Sequence, residues 1–152
     1  MPPTTPETRP KQDNLHKELD LIQAVVTRLA QNSFLIKGWS ITLVSIVLAL
    51  GKDNLLNTVQ RPWLVGLVLV IWVAFWYLDA YFLRQERLFR KLYEHVIANP
   101  DDPARLRYNL NVGPFVTNVE SETRTMFSIT HRVFYGIPAG LLLGVWVYFL
   151  TR

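Results

Sequence analysis

The sequence predicts an all-α integral membrane protein: a long antiparallel helical hairpin with a cytoplasmic stalk, then a third transmembrane helix. Three observations carry that expectation. Half of the 152 residues are apolar, only 18% are charged, and mean hydropathy is positive at +0.16. The apolar residues gather in three blocks separated by charged stretches. Outside those blocks the remaining apolar residues recur in steps of three and four, the spacing of one face of a helix.

The same composition excludes several classes. A disordered chain needs low hydrophobicity and high net charge, and this chain has neither. Cysteine is absent, which removes disulfides, Cys-based zinc sites and thiol catalysis. The formal charge of +4 comes from 16 Lys and Arg against 12 Asp and Glu, so placement matters more than size.

Taken in order, residues 1–12 carry Pro2, Pro3, Pro6 and Pro10 and almost nothing apolar, which predicts a disordered tail. Asp13 or Asn14 is then placed to cap a helix. Leu15, Leu19, Ile22, Val26 and Leu29 step by four and three, a short heptad seam. No Pro or Gly intervenes before Gly38, so one helix is expected from Asn14 to Leu50. Its upper part, residues 34–50, is the first apolar block and contains Lys37. That block follows more than thirty polar-rich residues and does not read as a cleaved signal peptide.

A loop, GKDNLLNTVQRP, leads to the second block at residues 63–83, WLVGLVLVIWVAFWYLDAYFL, whose single ionisable residue is Asp79. Twenty-one helical residues rise about 31 Å, the thickness of a hydrocarbon core. Leu78, Phe82, Gln85, Phe89, Leu92 and Val96 continue the helical stepping, and Asn99, Pro100 and Pro103 end it. Matched helices with seams beyond the apolar blocks predict a stalk formed within one chain; packing of each seam on another subunit or on the bilayer surface is the competing arrangement.

Residues 99–132 read as a linker and a returning helix. Thr117 and Glu120 have capping-box spacing, which predicts a helix from Asn118 to His131. Val119, Met126 and Val133, seven apart, would face the stalk. The third block, residues 133–150, VFYGIPAGLLLGVWVYFL, is uncharged and long enough to span. Pro138 removes the hydrogen bond to the Phe134 carbonyl, so a bend is expected near its start.

Basic residues set the orientation. Placing residues 1–37 and 84–132 on one side collects 13 of the 16 Lys and Arg. The positive-inside rule then puts the N-terminus and the central region in the cytoplasm and the C-terminus outside. Trp39, Trp76, Tyr77, Tyr81 and Tyr135 fall at the inner interface, and Trp63, Trp146 and Tyr148 toward the outer one. Trp72 lies deep in its span.

The candidate functional residues are those that are costly or close-packed in a membrane. Lys37 and Asp79 lie at nearly the same depth when counted from the loop, either as a pair fixing the hairpin's register or each snorkelling to the inner headgroups. Gly136, Gly140 and Gly144 make overlapping GxxxG patterns, and Gly38, Thr42, Ser45 and Ala49 form a second small-residue stripe. Both stripes mark helix contact, within one subunit or between copies in a homo-oligomer. Arg84, Arg87, Arg90 and Lys91 follow the second span directly and suit anionic headgroups. Glu86 and Glu94 interrupt that cluster and no aromatic platform accompanies it, which argues against nucleic acid.

Nothing points to catalysis. His16, His95 and His131 are isolated from any second ligand at metal spacing and read as surface residues. No phosphate-binding glycine loop, GxSxG elbow or HExxH helix is present, so no enzyme activity, metal or cofactor is expected.

The runs LIQAVVTRLAQNSFLIKGWSITLVSIVLAL and FWYLDAYFLRQERLFRKLYEHV resemble small helical membrane proteins of bacterial defence and conflict loci, of the SLATT-like group. The resemblance covers residues 15–98, and the third span departs from a strict two-span plan. It implies an oligomerising, pore-forming type of membrane effector, or an accessory subunit, of an antiphage system. It also implies a separate cytoplasmic sensor or partner protein, since no sensor domain is visible. A non-catalytic anchor that recruits a soluble partner is the other reading. A transporter fits least, because no span carries a polar cluster at its midplane.

Overall fold

The computed structural model describes residues 8–51 and 62–151, and among these every regular element is helical. Helix α1, Thr8–Gly51, has 44 residues and helix α2, Pro62–Ala98, has 37, so they run about 66 and 56 Å. They pack antiparallel. Ile22 and Val26 of α1 meet Leu92 and Val96 of α2 in one buried cluster, while Val44 packs at the level of Trp72. The partner on α2 therefore retreats as α1 advances, and the stalk seams close on each other within one chain.

The sequence-based boundaries shift in instructive ways. α1 begins at Thr8, not at Asp13 or Asn14, so residues 8–12 of the expected tail are helical. Pro10 is compatible with this because it lies in the first turn, whose N–H groups have no helical partner. Residues 1–7 and 52–61, with Lys52 and Arg61 and the expected loop, lie outside the described residues. On α2 the buried face takes in Trp72, Trp76, Asp79, Ala80, Leu88, Leu92 and Val96, whereas Leu78, expected in the seam, is exposed.

The returning helix is not continuous. A 3₁₀ turn, Gly113–Asn118, precedes α3, Glu122–Met126, and α4, Ile129–His131. Two serines explain the breaks. Ser121 caps α3, its Oγ accepting from the Arg124 N–H at 3.4 Å, and Ser128 holds extended backbone as the N-cap of α4. The capping box expected at Thr117 does not form: Thr117 Oγ1 donates to Asn118 Oδ1, and Glu120 turns to Arg87 and Arg124. Met126 packs on the core as expected, but Val133 is exposed.

α4 runs directly into a π turn, Arg132–Gly136, and then α5, Ile137–Leu150. The irregularity expected around Pro138 thus takes the form of a wide turn immediately before it. The ring would clash with the carbonyl four residues back in a regular helix, and a π turn relieves that clash. α5 packs antiparallel to α2, with Tyr135 between Trp72 and Trp76 and the Trp146 indole against Gly66. Among the described residues, one helix, Val65–Ala98, is long and apolar enough to cross a membrane, and 22% of its most apolar stretch is buried.

Candidate functional site

The candidate site is a buried polar cluster where three elements meet. Asp79, fully buried on α2, faces α1 and the α4–π segment. Lys37 Nζ lies 2.6 Å from Asp79 Oδ2 and 2.8 Å from Oδ1, and it also donates to Ser33 Oγ at 2.9 Å. The Ser33 hydroxyl donates to Asp79 Oδ1. Ser33 and Lys37 are four apart, so one helical face presents both to the carboxylate. The two charges foreseen as partners from their depth are brought together, and the ammonium keeps a partly exposed outer side.

His131 completes the contact from the third direction. It is 2% exposed, which corrects its assignment to the surface. Its Nε2 sits 3.2 Å from Asp79 Oδ2, and its Nδ1 is 3.0 Å from Ser128 Oγ. Tyr135, one turn on, stacks on His131 with ring centroids 6.0 Å apart and on Trp76 at 6.2 Å. Both tryptophans tie the segment down through their indole N–H groups. Trp72 Nε1 donates to the Tyr135 carbonyl and Trp76 Nε1 to the Met126 carbonyl, each at 2.9 Å. Trp76 and Tyr135, placed at a membrane interface by hydropathy, are therefore core residues.

The basic cluster is spent on carboxylates. Arg84 Nη1 lies 2.7 Å from Glu122 and Arg87 Nη1 3.3 Å from Glu120, while Arg84 Nε donates to the Glu120 carbonyl. Arg90 pairs with Glu86 at 2.6 Å and Lys91 with Glu94 at 2.8 Å. Arg84 and Arg87 fasten Glu120 and the first residue of α3 to α2, a role no local pattern revealed.

The small-residue stripes divide. Gly136 lies against Trp76, where an added Cβ would sit 3.8 Å from the indole; beside Gly38, Gly140 and Gly144 there is open space. Thr42 and Ser45 are exposed, and their hydroxyls donate back to the carbonyls of Gly38 and Ile41 at 2.9 Å, leaving the α1 stripe outwardly apolar. Ala49 belongs to α1, but its side chain lies outside the described ones.

A second buried ion pair, absent from the sequence reading, locks the open end of the hairpin. Glu18, 2% exposed on α1, accepts from Arg105 Nη1 at 2.6 Å and from the Tyr108 N–H at 3.0 Å. Arg105 Nε reaches the Asn99 carbonyl at 3.1 Å. Tyr108 adopts a left-handed backbone, φ 59°, which a bulky residue rarely holds and which here aims its N–H at the carboxylate. Beside this lock, a cavity of about 280 Å³ is lined by Leu92, His95, Arg105, Asn109 and Phe115 among others. No group of three His, Asp or Glu among the described residues is arranged to hold a metal ion.

The chain matches no family model, no curated protein and no solved structure.

Proposed function

We propose that this chain is a multi-span protein of the bacterial inner membrane that self-associates through the outward face of α5. There it acts as an effector or accessory subunit of antiphage defence, perturbing the bilayer when a separate cytoplasmic partner triggers it. The observation that carries this reading is the belt of outward apolar side chains on α1, α2 and α5. Phe34 and Trp39 on α1, Val70 and Tyr77 on α2, and Ile137 and Leu141 on α5 are all at least half exposed. Water would penalise such a belt, and lipid would not.

Within the belt, Gly140 and Gly144 leave an open strip on which a second helix can approach closely. The defence setting comes from the resemblance of residues 15–98 to SLATT-like proteins. The orientation, N-terminus and residues 84–132 inside and C-terminus outside, follows from the distribution of basic residues.

Induced expression tests the reading. An effector depolarises cells or leaks dye, and Gly140→Leu, which fills the open strip, abolishes that effect. Intact membranes on expression with the partner present would remove the effector reading. The anchor reading is favoured by one feature, the cavity beside Glu18 and Arg105 at the end of the hairpin away from the apolar belt. Recruitment of a soluble partner that survives Gly140→Leu, with membranes intact, would select it.

A further inference from the structure

We propose that His131 is a proton-uptake site set against Lys37: a proton on the imidazole claims Asp79 and releases the Lys37 ammonium, so that acid loosens the tie between α1 and α2 at this level. Effector and anchor alike can carry such a site.

The first observation is that oxygen atoms face both ring nitrogens of His131. Nδ1 lies 3.0 Å from Ser128 Oγ and Nε2 lies 3.2 Å from Asp79 Oδ2. A neutral imidazole carries one N–H, whereas an imidazolium donates from both nitrogens, and a hydroxyl and a carboxylate can each accept. Nε2 and Oδ2 face each other out of line for a hydrogen bond. A positive charge on the ring gives the two atoms a reason to close.

The second observation is the charge around the ring. Asp79 faces it from α2; Lys37, with Ser33 and Ser40, comes from α1; Ser128 and Tyr135 belong to its own segment, and the Tyr135 hydroxyl reaches Asp79 and Ser40. Arg132 is exposed, and Arg84 and Glu122 form a pair of their own. With a neutral imidazole, the charges of Asp79 and Lys37 cancel. A proton adds one positive charge where Asp79 is fully buried and His131 is 2% exposed, and a buried charge without a counter-ion is costly. Lys37 and His131 both approach Oδ2, so two cations there are close neighbours and repel.

Lys37 is the one that can leave. Its side chain is 27% exposed, and its stem lets the ammonium reach water or headgroups while the methylenes stay packed. His131 is enclosed and cannot follow. Proton uptake therefore replaces a charged tie between α1 and α2 with one between α2 and the segment entering α5. Ser33 remains as the neutral hold of α1 on Asp79.

Two measurements on the full chain test the exchange. In the first, His16→Gln and His95→Gln, both at exposed positions, leave His131 as the one isotope-labelled imidazole, and NMR follows its titration in lipid nanodiscs. Lys37→Met should raise its proton affinity at least about tenfold, and Lys37→Arg, which keeps the charge, should change it less than about threefold. In the second, unfolding in detergent is compared at about pH 5 and about pH 8. A group that binds its proton more tightly in the folded state adds stability below its titration and loses it above. Lys37→Met should therefore raise the unfolding constant at the higher pH, and at least about tenfold less at the lower one, where the imidazolium replaces the ammonium. In a His131→Gln background the effect of Lys37→Met should be the same at both. An unchanged titration in Lys37→Met would overturn the proposal. So would a Lys37→Met effect that does not shrink in acid, or one that shrinks equally without His131.

Discussion

Asp79 is a buried carboxylate whose charge is tolerable because Lys37 lies 2.6 Å away and Ser33 donates to it. Removing one partner of a buried pair leaves the other uncompensated, at a cost of about 3–5 kcal/mol. Lys37→Met should destabilise the fold by that amount in an unfolding titration in detergent. The double substitution Lys37→Met with Asp79→Leu should cost less than Lys37→Met alone, because no buried charge remains. Trp72→Phe keeps the ring packing but removes the indole donor to the Tyr135 carbonyl, and about 0.5–1.5 kcal/mol should be lost in the same titration. Lys37 and Asp79 were legible as a pair because each is a lone charge in an apolar block, and counting helix rise from the loop gives both one depth. His131 was not legible. A single imidazole ahead of an apolar run carries no periodic signal, and only the chain's return through α3 brings it beside Asp79. Glu18 and Arg105 were hidden for the same reason, being 87 residues apart and joined by an irregular linker.

At the scale of elements, the two long helices were readable and the connection between them and α5 was not. The steps of four and three along α1 and α2 find their partners because both seams are long and continuous. Residues 118–131 carry a weaker pattern, and Ser121 and Ser128 each start a new short helix where one was expected. What fixes this region is tertiary: Arg84 and Arg87 hold Glu120 and Glu122. Arg84 is more deeply covered than Arg87, 11% against 37% exposed, so hydrogen exchange in α3 should rise more for Arg84→Gln than for Arg87→Gln. The contact of α5 with α2 has its own test. A side chain at Gly66 would begin 3.3 Å from the Trp146 ring, whereas Gly140 faces open space. Gly66→Leu should loosen α5 in the monomer, seen as raised exchange over residues 137–150. Gly140→Leu should leave that exchange unchanged.

For the whole molecule, apolar clusters fill the interior of the hairpin and enclose a buried ion pair, yet large apolar side chains also face outward. Charges lie at the centre, in the Lys37–Asp79 contact, while large apolar side chains such as Phe34 and Trp39 face outward. A lipid surround gives both features a reason, since the bilayer accepts the apolar belt and the helices bury their own backbone groups. Orientation is the finer proposal: a reporter fused after Arg152 should read as periplasmic, and one inserted near Asn109 as cytoplasmic. The most direct measurement of the central claim is extraction of the expressed full chain from isolated membranes. It should resist high salt and alkaline carbonate and come free only with detergent. Recovery as a dispersed monomer in detergent-free buffer would contradict a bilayer-embedded bundle.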